Sequence, residues 1–180
     1  MAEQPTPVAR HDTLRAMMEE GAFDFNTTPC GPDGLCALEF ALGENKDDPI
    51  DEDAVKLVLG TPGLNIHSLT TPGGQTFLWG QCSLGRSRNV ELLLADGRID
   101  PNQCDTDKGE SPLNIAANWG RDLCVKLLLA DPRVDPNLAA DLKGYTPLNS
   151  AAGQGRAGCV ALLLEDRRAR GSDSIGRAAG

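Results

Sequence analysis

The sequence predicts an all-α solenoid, a stack of helix-turn-helix units with protruding loops, and three observations predict it. The phrase GESPLNIAANWG from Gly109 returns as GYTPLNSAAGQG from Gly144, thirty-five residues later, and one step back stands GQTFLWGQCSLG from Gly74. Whole columns share that period: Leu78, Leu113 and Leu148; Val55, Val90, Val125 and Val160; Leu92, Leu127 and Leu162; Gly85, Gly120 and Gly155; Asn102 and Asn137. Within a unit, the apolar residues fall at helical spacing and are broken by glycine and proline where a helix must end. A fixed period of this size marks a stack of small supersecondary units, none of which buries its apolar face alone.

From the N-terminus, residues 1–11 read as a flexible tail. Asp12 then caps a helix carrying Leu14, Met17 and Met18, followed by GAFDFN, which together make a half-repeat over 12–33. The next unit spans about 34–73. Leu38 to Val55 is seventeen residues where later copies use twelve, so five extra residues lie between its helices, in the acidic stretch ENKDDPIDED. The unit 74–108 has Phe77 where its neighbours have proline, and it holds Gly80 inside the first helix. A glycine there costs about 1 kcal/mol relative to alanine, so this first helix is expected to be the weakest.

The unit 109–143 shows the plan most clearly. Ser111 followed by Pro112 is a helix start, a hydroxyl cap and then a residue whose missing donor costs nothing in the first turn. Leu113, Ala116 and Ala117 form the apolar face, and Gly120 stops the helix. A second helix over Asp122–Ala130 carries Val125, Leu128 and Leu129 and ends ahead of Pro132. DPRVDPN and LAADLKG then read as an extended loop or hairpin. The last unit, 144–166, is partial in its loop. Ala169, Arg170, Gly171 and Ser172 stand where Val134, Asp135, Pro136 and Asn137 should recur, and 167–180 reads as a disordered tail. The layout is thus a half-repeat plus about three full repeats. The last helix still reads VALLL with no polar cap after it, which predicts a continuing array, a covering partner, a fraying end or self-association through that helix.

On these residues the chain resembles the ankyrin-repeat family. The family's G-x-T-P-L-H-x-A-A-x-x-G pattern stands as Gly144, Thr146, Pro147, Leu148, Ala151, Ala152 and Gly155, and the triple leucine of the second helix at 92–94, 127–129 and 162–164. The departures are the loss of the histidine after the leucine, replaced by Trp79, Asn114 and Asn149, and a unit two residues longer than the usual length of about 33. The resemblance implies an ankyrin-repeat solenoid whose partners meet the loop tips and the exposed face of the first helices. Carried over position by position, that surface is Gln75, Glu110 and Tyr145, then Asn118, Trp119, Gly153 and Gln154, with Lys108 and Lys143 at the loop tips. Trp119 and Tyr145 are the most telling, because large aromatics at exposed positions dominate binding hot spots. The competing reading packs Trp119 across the neighbouring repeat; Trp79, in the histidine position, is read as packing. Asn102 and Asn137 are expected to hold their loops by local hydrogen bonds, although the resemblance also makes this asparagine a target of asparaginyl hydroxylation, with Leu94 and Leu129 eight residues upstream.

Charge and cysteine usage exclude several classes. Residues 1–60 hold thirteen acids and four bases, while the remainder holds thirteen of each. Nothing resembles a nucleic-acid footprint, and a partner steered to the N-terminal half by charge would be basic; the plain reading is a solvated acidic loop. Neither a signal peptide nor a membrane span is predicted, for want of a charged-then-apolar start or an apolar run near eighteen residues. Six cysteines without CxxC spacing read as small buried thiols in a reducing compartment, the cytoplasm first and the nucleus second, which leaves the sequon at Asn26 unused.

Two histidines, His11 and His67, stand in no nucleophile spacing, and no phosphate-binding loop is present. Asp47, Asp48, Asp51, Glu52 and Asp53 lack the glycine and final glutamate of a calcium loop. No enzyme, metal or cofactor is predicted. The expected function is a non-catalytic intracellular protein-protein interaction module, a scaffold or adaptor. The alternative is a structural spacer, a segment of a longer ankyrin-repeat protein with no autonomous partner.

Overall fold

Three units of the stack start where a hydroxyl meets the first free backbone donors of a helix. The computed structural model describes residues 7–19, 37–42, 51–64, 74–140 and 144–168. Thr76, Ser111 and Thr146 take extended backbone and accept from the amides of Trp79, Asn114 and Asn149, opening α4 (Phe77–Leu84), α6 (Pro112–Trp119) and α8 (Pro147–Gly153). Gly85 and Gly120 close α4 and α6 in the left-handed region, at φ 79° and 69°. The chain then turns into α5 (Ser87–Leu94), α7 (Asp122–Ala130) and α9 (Ala157–Glu165). Upstream lie α1 (Pro7–Glu19), α2 (Ala37–Leu42) and α3 (Glu52–Leu59).

The helices form two layers. First helices stack as α4 on α6 on α8, and second helices as α1 on α3 on α5 on α7 on α9, while α2–α3, α4–α5, α6–α7 and α8–α9 pair within units. One continuous core runs between the layers. It contains Leu14, Leu38, Val55, Leu78, Val90, Leu93, Leu113, Val125, Leu128 and Leu163, each essentially without solvent contact. Loops join it through Leu64, Ile99 and Val134, again thirty-five residues apart, so each loop is pinned by one apolar side chain.

The all-α solenoid stands, with two particulars corrected. A lone helix is followed by four helix pairs, the last of them α8 and α9 of the unit whose loop is partial. The helix expected from Asp12 begins at Pro7, so 1–11 is not wholly a tail and Asp12 lies within a turn of helix. The first helix of the Gly74 unit has eight residues like α6, with Gly80 inside it and Thr76 supplying its cap. The acidic insertion ends on a structural residue: Asp51 is buried, caps Ala54 at 2.9 Å and accepts from the His11 amide at 3.2 Å. His67, Asp47 and Asp48 lie outside the described residues.

Candidate protein interface

The loop between units builds the first half of the surface. Asp105 is buried and accepts from the amides of Lys108 and Glu110, at 3.3 and 2.7 Å, while its own amide donates to the Glu110 carbonyl at 3.1 Å. Thirty-five residues on, the Ala140 amide donates to the Tyr145 carbonyl at 2.8 Å in an antiparallel bridge. These hairpins hold Lys108 exposed, Gln75 and Glu110 half-buried, and Tyr145 about half exposed at 52%. Lys143 lies outside the described residues. Gln75, Glu110 and Tyr145 therefore share one rail, at the entry of successive first helices.

Asn118, Trp119 and Gln154 stand at the other end of those helices. Trp119 is 51% exposed, Gln154 is exposed and Asn118 is half-buried. The structure does not unite the two groups: eight residues of helix place them roughly 12 Å apart along the axis. Trp119 does not lie packed beneath a neighbour. Trp79 does pack against the core, as expected of a residue in the histidine column.

Arginine ladders, which the sequence reading passed over, position all of this. Arg98, Arg133 and Arg168 each follow an aspartate by two residues and are ion-paired to it at 2.6 to 2.7 Å. Each also donates back one unit, to the carbonyls of Leu59, Leu94 and Leu129 at the ends of the preceding second helices. A cation at a helix C-terminus meets both its free acceptors and the negative end of its dipole. The carboxyls of Asp96 and Asp131 lie below the usual carboxylate range because of Arg98 and Arg133. Arg168 belongs to the ordered stack, so the expected tail 167–180 begins too early. The signal was available as D-x-R at 96–98, 131–133 and 166–168.

A second ladder crosses the helix turns. Arg86 donates to the Leu42 carbonyl, Arg121 Nε to Ser83 at 2.9 Å and Arg156 Nε to Asn118 at 3.1 Å. Gly85 and Gly120 lie directly below Arg121 and Arg156, whose Cδ atoms would stand 2.8 Å from an added Cβ. Glycine there serves both the positive φ and the close approach. Asn102 and Asn137 correct another expectation. Their amides bridge units instead of holding their own loops, Asn102 to the Arg133 carbonyl and Asn137 to Arg168, both at 2.7 Å.

Among the described residues no group of three or more His, Cys, Asp or Glu is placed to hold a metal ion, and no helix is long and apolar enough to cross a membrane. Cys82, Cys104, Cys124 and Cys159 are free thiols. Burial raises Cys124 to about 11, and burial with a bond to Asp122 raises Cys159 to about 12, so both stay protonated and poorly nucleophilic at neutral pH.

No curated protein matches the chain closely enough to count as a relative. The family model for ankyrin repeats, three copies, matches residues 48–140 and 78–174, which takes in the α3-to-α9 stack, its hairpins and both arginine ladders. The chain belongs to the ankyrin-repeat family.

Proposed function

We propose that the chain is a non-catalytic interaction module that holds a protein partner on its loop tips and first helices. Ankyrin repeats are in general protein-protein interaction modules, and only ankyrin repeats are found here. The observation that carries the reading is the pair Trp119 and Tyr145, about half exposed where, among the described residues, the other exposed large apolar side chains are the aliphatic Leu123 and Leu164. Side chains of this kind anchor interfaces, at about 2 kcal/mol or more each. Lys108, Gln75 and Glu110 form the polar rim beside Tyr145, and Asn118 and Gln154 the rim beside Trp119. The free, protonated thiols support a reducing compartment, the cytoplasm foremost.

The test uses the full chain as bait in cell lysate, with the captured partner identified and its binding remeasured with purified components. Trp119→Ala and Tyr145→Ala are expected to weaken that binding by about thirtyfold each, with the melting temperature unchanged. Affinity that falls only with folding would favour the spacer reading. That second reading has its own observation: Leu148, Val160 and Leu162 are only partly buried at the α8–α9 end, where a further unit or a second copy would cover them.

A further inference from the structure

The helix-turn edge of the stack carries positive charge that the fold leaves unneutralised. Arg98, Arg133 and Arg168 are each paired with an aspartate, and Arg88 with Glu52 and Glu91, at 2.6 to 2.7 Å. Arg121 and Arg156 differ. Each commits its Nε to a carbonyl of the preceding first helix, Ser83 and Asn118, and neither has a carboxylate within ion-pairing distance among the described residues. Their stems lie on Gly85 and Gly120, so the guanidinium groups are held in place, and both residues are partly exposed. Asp122 is the acid of this turn, and it accepts from the Cys159 thiol at 2.9 Å.

Apolar surface adjoins this charge. Trp119 and Leu123 flank the α6–α7 turn at 51% and 67% exposure, and the Asn118 carbonyl that anchors Arg156 immediately precedes Trp119 in the chain. Neighbouring helices pack about 8–10 Å apart, which sets the spacing of arginines borne by successive turns. A chain in polyproline II conformation repeats its side-chain direction every three residues, about 9 Å. The two spacings match. A guanidinium with its outer edge free is also the side chain that best fits a carboxylate, through paired parallel hydrogen bonds.

We infer that this edge binds an extended acidic segment of a protein partner, with carboxylates three residues apart on Arg121 and Arg156 and an apolar side chain against Trp119 and Leu123. The inference rests on the interaction-module reading, and it extends the Trp119 end of that surface onto the helix turns and gives it a partner chemistry.

The experiment uses the full chain carrying Trp79→Phe, so that Trp119 alone reports, and titrates a synthetic proline-rich peptide with glutamates three residues apart and a leucine between them. Saturable binding with a blue shift of Trp119 emission is expected. The same peptide with glutamines should bind about tenfold more weakly or worse, as should the Glu peptide to Arg156→Gln. Equal binding of the Gln peptide, no emission change, or response to a phosphoserine peptide but not to the Glu peptide would each overturn the inference. Should Arg156→Gln unfold, a salt series on the parent decides: the Glu peptide is expected to lose about tenfold in affinity between low and high salt, and salt-independent binding overturns the proposal. A partner that still depends on Tyr145 while the Glu peptide fails would remove the turn-edge site and leave the module reading standing.

Discussion

The α6–α7 and α8–α9 units are nearly the same sequence in two different places. PLNIAANWG and PLNSAAGQG each follow a hydroxyl cap and share their proline, leucine and alanines, yet Leu113, Ala117 and Val125 are sealed, whereas Leu148 and Val160 are half-buried and Ala152 is exposed. Asn114 and Asn149 diverge further. Asn114 is buried, donates to the Leu138 carbonyl at 2.9 Å and accepts from the Ser150 hydroxyl at 3.1 Å; Asn149 is exposed and completes a capping box with Thr146. In a one-dimensional stack, burial belongs to the neighbour and not to the repeat. The same difference extends to the clamps. Arg156 overlies Gly120, while nothing lies within 4 Å of the position a Cβ would take at Gly155.

The largest expected effect tests that comparison directly. Leu113→Ala is expected to cost about 3–4 kcal/mol in urea unfolding, and Leu148→Ala about half as much, because only the first leaves an enclosed cavity. Equal losses would break the comparison and show that something covers α8–α9 in solution. Removing the asparagines sharpens it. Asn114→Ala takes away two part-buried bonds, one to the Leu138 carbonyl in its own unit's loop and one to Ser150 of the next unit, and should cost about 2 kcal/mol; Asn149→Ala loses one exposed cap bond, about 0.5–1 kcal/mol.

Glycine substitutions come next. Gly120→Ala and Gly155→Ala both force a side chain into the left-handed region, at φ 69° and 66°, which costs about 1 kcal/mol. Only Gly120→Ala must also displace Arg156, so it should lose roughly 1 kcal/mol more. If the two variants melt together, the Arg156 stem is not seated on Gly120 in solution.

Most of this architecture was legible in the sequence because helix caps, stops and apolar columns are local or periodic signals. Ser111-Pro112 and Gly120 mark the ends of α6 without any knowledge of the fold. The start of α1 had the same kind of signal, since Thr6-Pro7 repeats the hydroxyl-proline pair of Thr146-Pro147, but Asp12 drew the boundary by resembling a cap. What stayed hidden depends on the neighbour. Arg121 and Arg156 are ordinary turn residues until the preceding unit supplies the Ser83 and Asn118 carbonyls. Asn102 reads as a loop former, and only stacking reveals that its amide reaches the Arg133 carbonyl. Of the candidate interface, the exposure of Trp119 and Tyr145 followed from the family resemblance, whereas their separation onto two rails required the helix between them.

The smallest expected effect concerns pH and sets an inner clamp against the end of the stack. Asp131 is held below the usual carboxylate range first by its hydrogen bond to Arg133, with Arg168 contributing from the next unit. A carboxyl with a lowered folded pKa stabilises the fold above its unfolded value, about 4, and loses that contribution as pH falls through the folded value. Asp131→Asn should therefore lower the urea midpoint near about pH 7, and the gap to the parent should narrow as pH falls below about 4 and through the lowered folded value. Asp166→Asn should lower the midpoint at neutral pH by a smaller amount. The Asp166–Arg168 pair ties the last described loop back to the Leu129 carbonyl, whereas Asp131–Arg133 is built into a stack with units on both sides. A gap that persists unchanged to low pH would mean that the aspartate acts through its shape and its bonds to the Arg133 amide, not through its charge.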